Sequence, residues 1–382
     1  MPIRPRFLTT SLVMLCFLVS AAGLGMDHLV VNTGGRETTL EGRVVVQAQD
    51  GGLLLLARDG LLWPVQPNEI VKSSSDQTPF APLDMEGLSR RLLAELPRGF
   101  DTFRTAHYLI CFNTTREYAQ WCGALFEQLY KAFDNYWTKK GFTITPPEFP
   151  LVAVVFADRR NYIEYARPEA GDGASSIIGY YSLQTNRMTM CDLTGVESFP
   201  QGKPKNVQAQ INAVLSRPDA ERTVATIMHE ATHQIAFNCG LHQRMSDTPL
   251  WFCEGIAIYF ETPDLAAAKG WRNIGGVNRM RLQRFRQYLR GRPSDSLRTL
   301  VADDKRFRDP QRGLDAYAEA WALTYFLIRQ KPKQYVDYVR VLSAKPPLRE
   351  DGPEKRLAEF TAAFGDLSKL DAEFLRYMAK VQ

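Results

Sequence analysis

The chain has 382 residues, 45% hydrophobic and 23% charged, a composition that builds a sizeable core and excludes a disordered or low-complexity protein. Its 47 basic and 42 acidic residues leave a formal charge of +5, too even a balance for a dedicated nucleic-acid binder, so no nucleic-acid partner is expected. The length suits two domains with a small extra module.

Residues 1–25 read as a secretory signal peptide: Arg4 and Arg6 form a basic start, residues 12–19 an apolar run, and Ser20-Ala21-Ala22 a small-residue cleavage site. The protein is therefore expected to be exported to the periplasm, cell envelope or medium, with an uncleaved signal anchor as the alternative. No second segment is apolar for long enough to span a bilayer. Leu15 stands before Cys16 where lipid attachment wants a small residue, which argues against a lipoprotein anchor. Cys111, Cys122, Cys191, Cys239 and Cys253 match neither a disulfide scaffold nor a zinc–cysteine spacing; most read as buried thiols, with at most two bridges.

Residues 26–75 read as a small β-rich, barrel-like module, either a packing appendage or a targeting or ligand-binding unit. Segments 38–47, 53–57 and 61–65 are short β-rich runs separated by Asp50-Gly51-Gly52 and Asp59-Gly60, both hairpin turn signals. Ser73-Ser74-Ser75-Asp76 reads as a linker, and residues 76–97 as linker and helix. Residues 98–262 alternate: strands at 108–112 and 151–156, helices at 115–139 and 160–166, then strand candidates at 176–182 and 187–192. Gly171-Asp172-Gly173 reads as an ordinary turn. Residues 263–382 read as helices, including 278–290, 317–329, 334–342 and 367–380. The expected fold class is α+β. Arg279, Arg281, Arg284, Arg286 and Arg290 spread around the 278–290 helix and read as a solvated, acid-paired face.

The segment that carries chemistry is His229-Glu230-Ala231-Thr232-His233, a His-Glu-x-x-His motif. With five histidines in the whole chain, chance is a poor explanation. On a helix, residues four apart share a face, and two imidazoles there reach one zinc ion. Val224, Ile227, Met228, Ala231 and Ile235 fall on the opposite side, so one face packs while the other carries the histidines. Ala225, Thr226, Thr232 and Ala236 are small and leave room for a cleft.

Two histidines leave zinc short of ligands. Glu254, twenty-one residues after His233, sits in the second turn of a helix whose start is signalled by Thr248 as N-cap and Pro249 at the first position, with Asp247 assisting. Gly255 and Ala257 would let this helix approach the motif helix closely. Glu261, two turns after Glu254, is either a partner orienting a zinc-bound imidazole or a solvated carboxylate. Cys253 points about 100° away from Glu254 and reads as packing. Glu230 projects near the metal without being needed as a ligand, where a general base belongs.

His-Glu-x-x-His followed by Trp251-Phe252-Cys253-Glu254-Gly255-Ile256-Ala257 resembles the gluzincin zinc metallopeptidases of the thermolysin-like clan. More closely, residues 107 to about 329, with Pro249-Leu250 and Tyr317 followed by Ala320-Trp321-Ala322, resemble an uncharacterised family of exported bacterial gluzincin-like proteins. The resemblance covers more than half of the chain and leaves the N-terminal module outside. It implies Zn²⁺ held by His229, His233 and Glu254 with a position left open for water, Tyr317 stabilising the oxyanion, and an edge strand at 187–192 holding an extended substrate. A mixed sheet with helices, then a helical subdomain, would flank the site. The activity implied is hydrolysis of a peptide or protein substrate. A non-peptidase zinc hydrolase on the same scaffold, and a non-catalytic cell-envelope binding protein with a vestigial zinc site, are the alternatives. Nothing in the sequence sets the oligomeric state.

Overall fold

The structure, a computed structural model, describes residues 25–192, 220–261 and 274–382, so the segment read as a signal peptide lies, but for Gly25, outside the described residues. The expected α+β class holds: an N-terminal antiparallel sheet, a second, mixed sheet, then helices. The chain divides into two compact units, one within Met1–Gly123 and Pro147–Val207, the other within Ala124–Pro146 and Gln208–Gln382.

In the first unit, β1 (Gly25–Thr33), β2 (Arg36–Gln47), β3 (Leu53–Ala57), β4 (Leu62–Val65) and β5 (Ile70–Pro79) form one antiparallel sheet in the order β4-β3-β2-β1-β5. The module is thus an open sheet, not a closed barrel. Its edges explain this: β4 is only four residues long and carries Pro64, which has no N–H to offer a further strand. Gly34 and Gly35, at φ of 65° and 84°, make the two-residue turn that joins β1 to β2. The Ser73–Asp76 stretch read as linker is strand instead. It is exposed and polar because β5 lies at the sheet edge, where backbone pairing with β1, His28 opposite Ser74, needs no apolar side chains. Leu29, Val31, Leu40, Leu55 and Val65 form the core of this sheet.

The same unit holds α1 (Met85–Glu95), β6 (Asp101–Arg104), β7 (Tyr108–Phe112), the start of α2 (Arg116–Lys139), β8 (Leu151–Phe156), α3 (Arg159–Ala170), β9 (Gly179–Tyr181) and β10 (Arg187–Cys191). The second sheet runs β6-β7-β8-β10-β9, with β7, β8 and β10 parallel. All of β8 is buried, which is why Leu-Val-Ala-Val-Val-Phe shows no alternation. The expected edge at 187–192 is not an edge: β10 pairs with β8 on one side and with β9 on the other. A short hairpin through Asn186, at φ 60°, folds β9 back over it. Within β10 the buried Arg187 grips Glu95 through two hydrogen bonds of 2.6 and 3.1 Å.

The second unit is helical: the end of α2, then α4 (Ala220–Asn238), α5 (Leu250–Phe260), α6 (Arg279–Tyr288), α7 (Ser296–Ala302), α8 (Lys305–Arg308), α9 (Gly313–Gln330), α10 (Pro332–Ser343), α11 (Pro353–Phe364) and α12 (Leu367–Met378). Helix α5 is held on several sides. Trp251 stacks on Tyr338 at 6.0 Å and meets Phe360 edge-on at 5.6 Å, Phe252 packs on Tyr335, and Phe260 packs on Phe133 of α2. A Cβ at Gly255 would lie 2.9 Å from the Ala320 carbonyl and 2.1 Å from Thr324 Oγ1, so the glycine admits α9 against the α5 backbone.

The start of α5 differs from the expectation. Thr248 does not cap it; its hydroxyl pairs with Ser246, and the Leu250 N–H donates instead to Asp304 Oδ1 at 3.0 Å. Asp247 is engaged elsewhere: Arg356 donates to both its carboxylate oxygens and, at 3.1 Å, to Asp304. A buried guanidinium thus ties the loop before α5 to the acid that caps it. Cys111, Cys122, Cys191, Cys239 and Cys253 are all buried, and no disulfide joins any two of them.

Candidate metal centre

Helix α4 presents the histidine pair. Val224, Ile227, Met228, Ala231 and Ile235 are exposed by 3% or less, the packed face expected of the motif helix. From the other side, His229 Nε2 and His233 Nε2 come to 3.1 Å of each other. Glu254 is the only charged residue of α5 and meets them there, Oε2 at 3.0 Å from His229 Nε2 and Oε1 at 3.5 Å from His233 Nε2.

These separations test the fit of an ion. Ligands about 2.0–2.2 Å from a tetrahedral centre stand roughly 3.3–3.6 Å apart, and the three donor groups are spaced close to that. Two imidazoles and one carboxylate are also a common donor set for catalytic zinc. His229, His233 and Glu254 could together hold such an ion. Burial opposes a charge on Glu254, but His233 and His229 outweigh it and keep the carboxyl well below the usual carboxylate range, hence anionic.

Behind the histidines lies a supporting layer. Glu261, buried at the end of α5, takes a hydrogen bond from His229 Nδ1 at 2.7 Å, which places that ring proton on Nδ1 and directs Nε2 toward Glu254 and His233. Glu261 is therefore a buried partner of His229 rather than a solvated carboxylate, while Asp247 stands outside the cluster with Arg356. Burial lowers the His229 pKa, but Glu254 and Glu261 raise it more, to well above its ordinary value. Because a proton and a metal ion would compete for Nε2, any metal affinity of this cluster would weaken as pH falls.

Two residues of this layer escape a reading by motif. Asn278 donates from Nδ2 to Glu261 Oε2 at 3.1 Å and accepts from the Arg281 N–H, so one side chain both braces the acid behind His229 and caps α6. Its place before a predicted helix marks it as a cap, but nothing local points to Glu261. His242 is fully enclosed between Phe237 and Phe252, 4.9 and 5.3 Å away. Burial and the nearby His233 hold its pKa down to about 3, so it stays neutral.

Tyr317 projects from α9 with Phe307 edge-on at 5.2 Å and the Arg281 guanidinium over its ring at 5.5 Å. The Glu254 carboxylate, burial and then the Glu230 carboxylate push its pKa up, which keeps the phenol protonated. Tyr325, two turns further along α9, packs against Trp321 and Tyr377. Glu230 follows His229 on α4 and is half-buried. Thus His229, His233, Glu254 and Glu261 come together, and Glu230 and Tyr317 belong to the same unit within electrostatic reach of Glu254 or each other.

Residues 223–349 match a family described as a protein of unknown function (DUF1570). All six fall inside that segment, about a third of the chain, and the N-terminal sheet lies outside it. No curated protein matches. No helix among the described residues is long and apolar enough to cross a membrane.

Proposed function

We propose that the protein is an exported zinc-dependent peptidase of gluzincin type, acting on a peptide or protein substrate. The observation that carries the reading is the meeting of His229, His233 and Glu254 at metal-ligand spacing, with Glu230 and Tyr317 beside them. The basic start and apolar run of residues 1–25 support export.

Zinc held by His229, His233 and Glu254 would polarise a substrate carbonyl and bring the pKa of water toward about 7. Glu230 takes the proton of the attacking water and returns it to the leaving amine. Tyr317, protonated, donates a hydrogen bond to the developing oxyanion. Glu261 holds the His229 ring in place and Asn278 holds Glu261.

Metal analysis of the purified protein tests this first. About one zinc per chain is expected; His233→Ala and Glu254→Ala should lose it, and Glu261→Ala should weaken it by roughly 10–100-fold because the His229 Nδ1–H loses its acceptor. A parent that neither contains nor takes up zinc refutes the reading. Tyr317→Phe should lower kcat by roughly tenfold or more with little change in KM, since the lost hydrogen bond forms only as the oxyanion develops. An unchanged kcat would remove Tyr317 from the mechanism.

A further inference from the structure

We infer that Arg281 recognises a carboxylate on the substrate, on a residue adjoining the bond that is cut. The inference rests on the peptidase reading above and adds a substrate class to it. Its basis is a contrast with other arginines of the second unit that are buried or half-buried. Arg284 is paired with Asp315, Arg292 with Glu319 and Asp371, Arg306 with Glu319, and Arg356 with Asp247 and Asp304. Arg281, half-buried, has no carboxylate partner among the described residues, and its Nε is enclosed without a hydrogen-bond acceptor.

An enclosed Nε–H without an acceptor is costly, the remaining donors of the guanidinium stay open to a ligand, and their planar fork suits a carboxylate. Its position is also set. The Arg281 N–H is bound by Asn278, which in turn holds Glu261 behind His229, while the guanidinium lies over the ring of Tyr317. The cation is therefore anchored to the same framework as the zinc-ligating histidine, one aromatic ring away from the group assigned to the oxyanion. A carboxylate bound there sits next to the reacting carbonyl, and the guanidinium offsets the negative charge that it shares with Glu230 and Glu254.

The test uses two dipeptide hydroxamates that differ only in glutamate or glutamine at the residue next to the hydroxamate, with calorimetric binding to the zinc-loaded protein. The hydroxamate anchors on zinc whether or not the protein turns anything over. The glutamate probe should bind roughly tenfold or more tightly than the glutamine probe, as a charge-assisted hydrogen bond does relative to a neutral one. Arg281→Met should abolish that preference while both probes still bind through the hydroxamate, which also shows that the variant is folded; Arg281→Lys should keep part of the preference. Equal affinities in the parent, or a preference that survives in Arg281→Met, overturn the inference and leave the peptidase reading standing. If neither probe binds, both fall together.

Discussion

Glu230→Gln is expected to reduce peptide hydrolysis by about 10²–10⁴-fold while the zinc content stays at that of the parent. The amide keeps the shape of the carboxylate but cannot accept and return a proton. The ligands are untouched, because His229, His233 and Glu254 converge without Glu230. The combination is diagnostic: a variant that loses zinc as well would mean that Glu230 supports the site structurally, and one that keeps full turnover would place the general base elsewhere. Peptide turnover and metal content measured on the same preparation distinguish these outcomes.

Arg356→Met should destabilise the second unit by about 3–5 kcal/mol, because it strands two half-buried carboxylates that now share one cation. Arg356 donates to Asp247 at 3.0 Å through Nε and to Asp304 at 3.1 Å through Nη1, and its side chain is only 7% exposed. The loss should reach the metal, since Asp304 also accepts the Leu250 N–H at the first turn of α5, one turn before Glu254. Urea unfolding combined with zinc titration would show both effects. Neutralising the acids together, in Arg356→Met with Asp247→Asn and Asp304→Asn, should recover part of the stability, because the penalty lies in the unpaired charge rather than in a missing contact. No recovery would shift the cause to lost packing by the arginine stem.

What could be read in the sequence follows physical range. The His229–His233 pair declares itself because a helix alone puts residues four apart on one face. Glu254 stands out as the lone charge in an otherwise apolar helix, and Glu261 follows from its spacing. Strands such as Tyr108–Phe112 and Leu151–Phe156 are apolar runs bounded by turns. Beyond that range local patterns fail. The cap of α5 comes from Asp304, 54 residues from Leu250, and no local signal competes with Thr248 and Pro249. Strand β5 is nearly all exposed, so its serines look like a linker until β1 supplies the backbone partners. The links from Glu261 through Asn278 to α6, and from Arg281 to Tyr317, exist only once separate helices are packed.

The burial of these cysteines outside any disulfide has a practical consequence. Burial pushes the thiols of Cys111 and Cys239 up to about 12 and those of Cys122 and Cys253 well above their ordinary value, so thiolate is scarce at all four while the chain is closed. Cys111 and Cys122 belong to the first unit, Cys239 and Cys253 to the second. Alkylation by a maleimide, located by mass spectrometry, would then act as a clock of opening that reports on each unit separately. Added zinc should slow the clock at Cys239 and Cys253 and leave Cys111 and Cys122 running at their former rate, provided the units open independently.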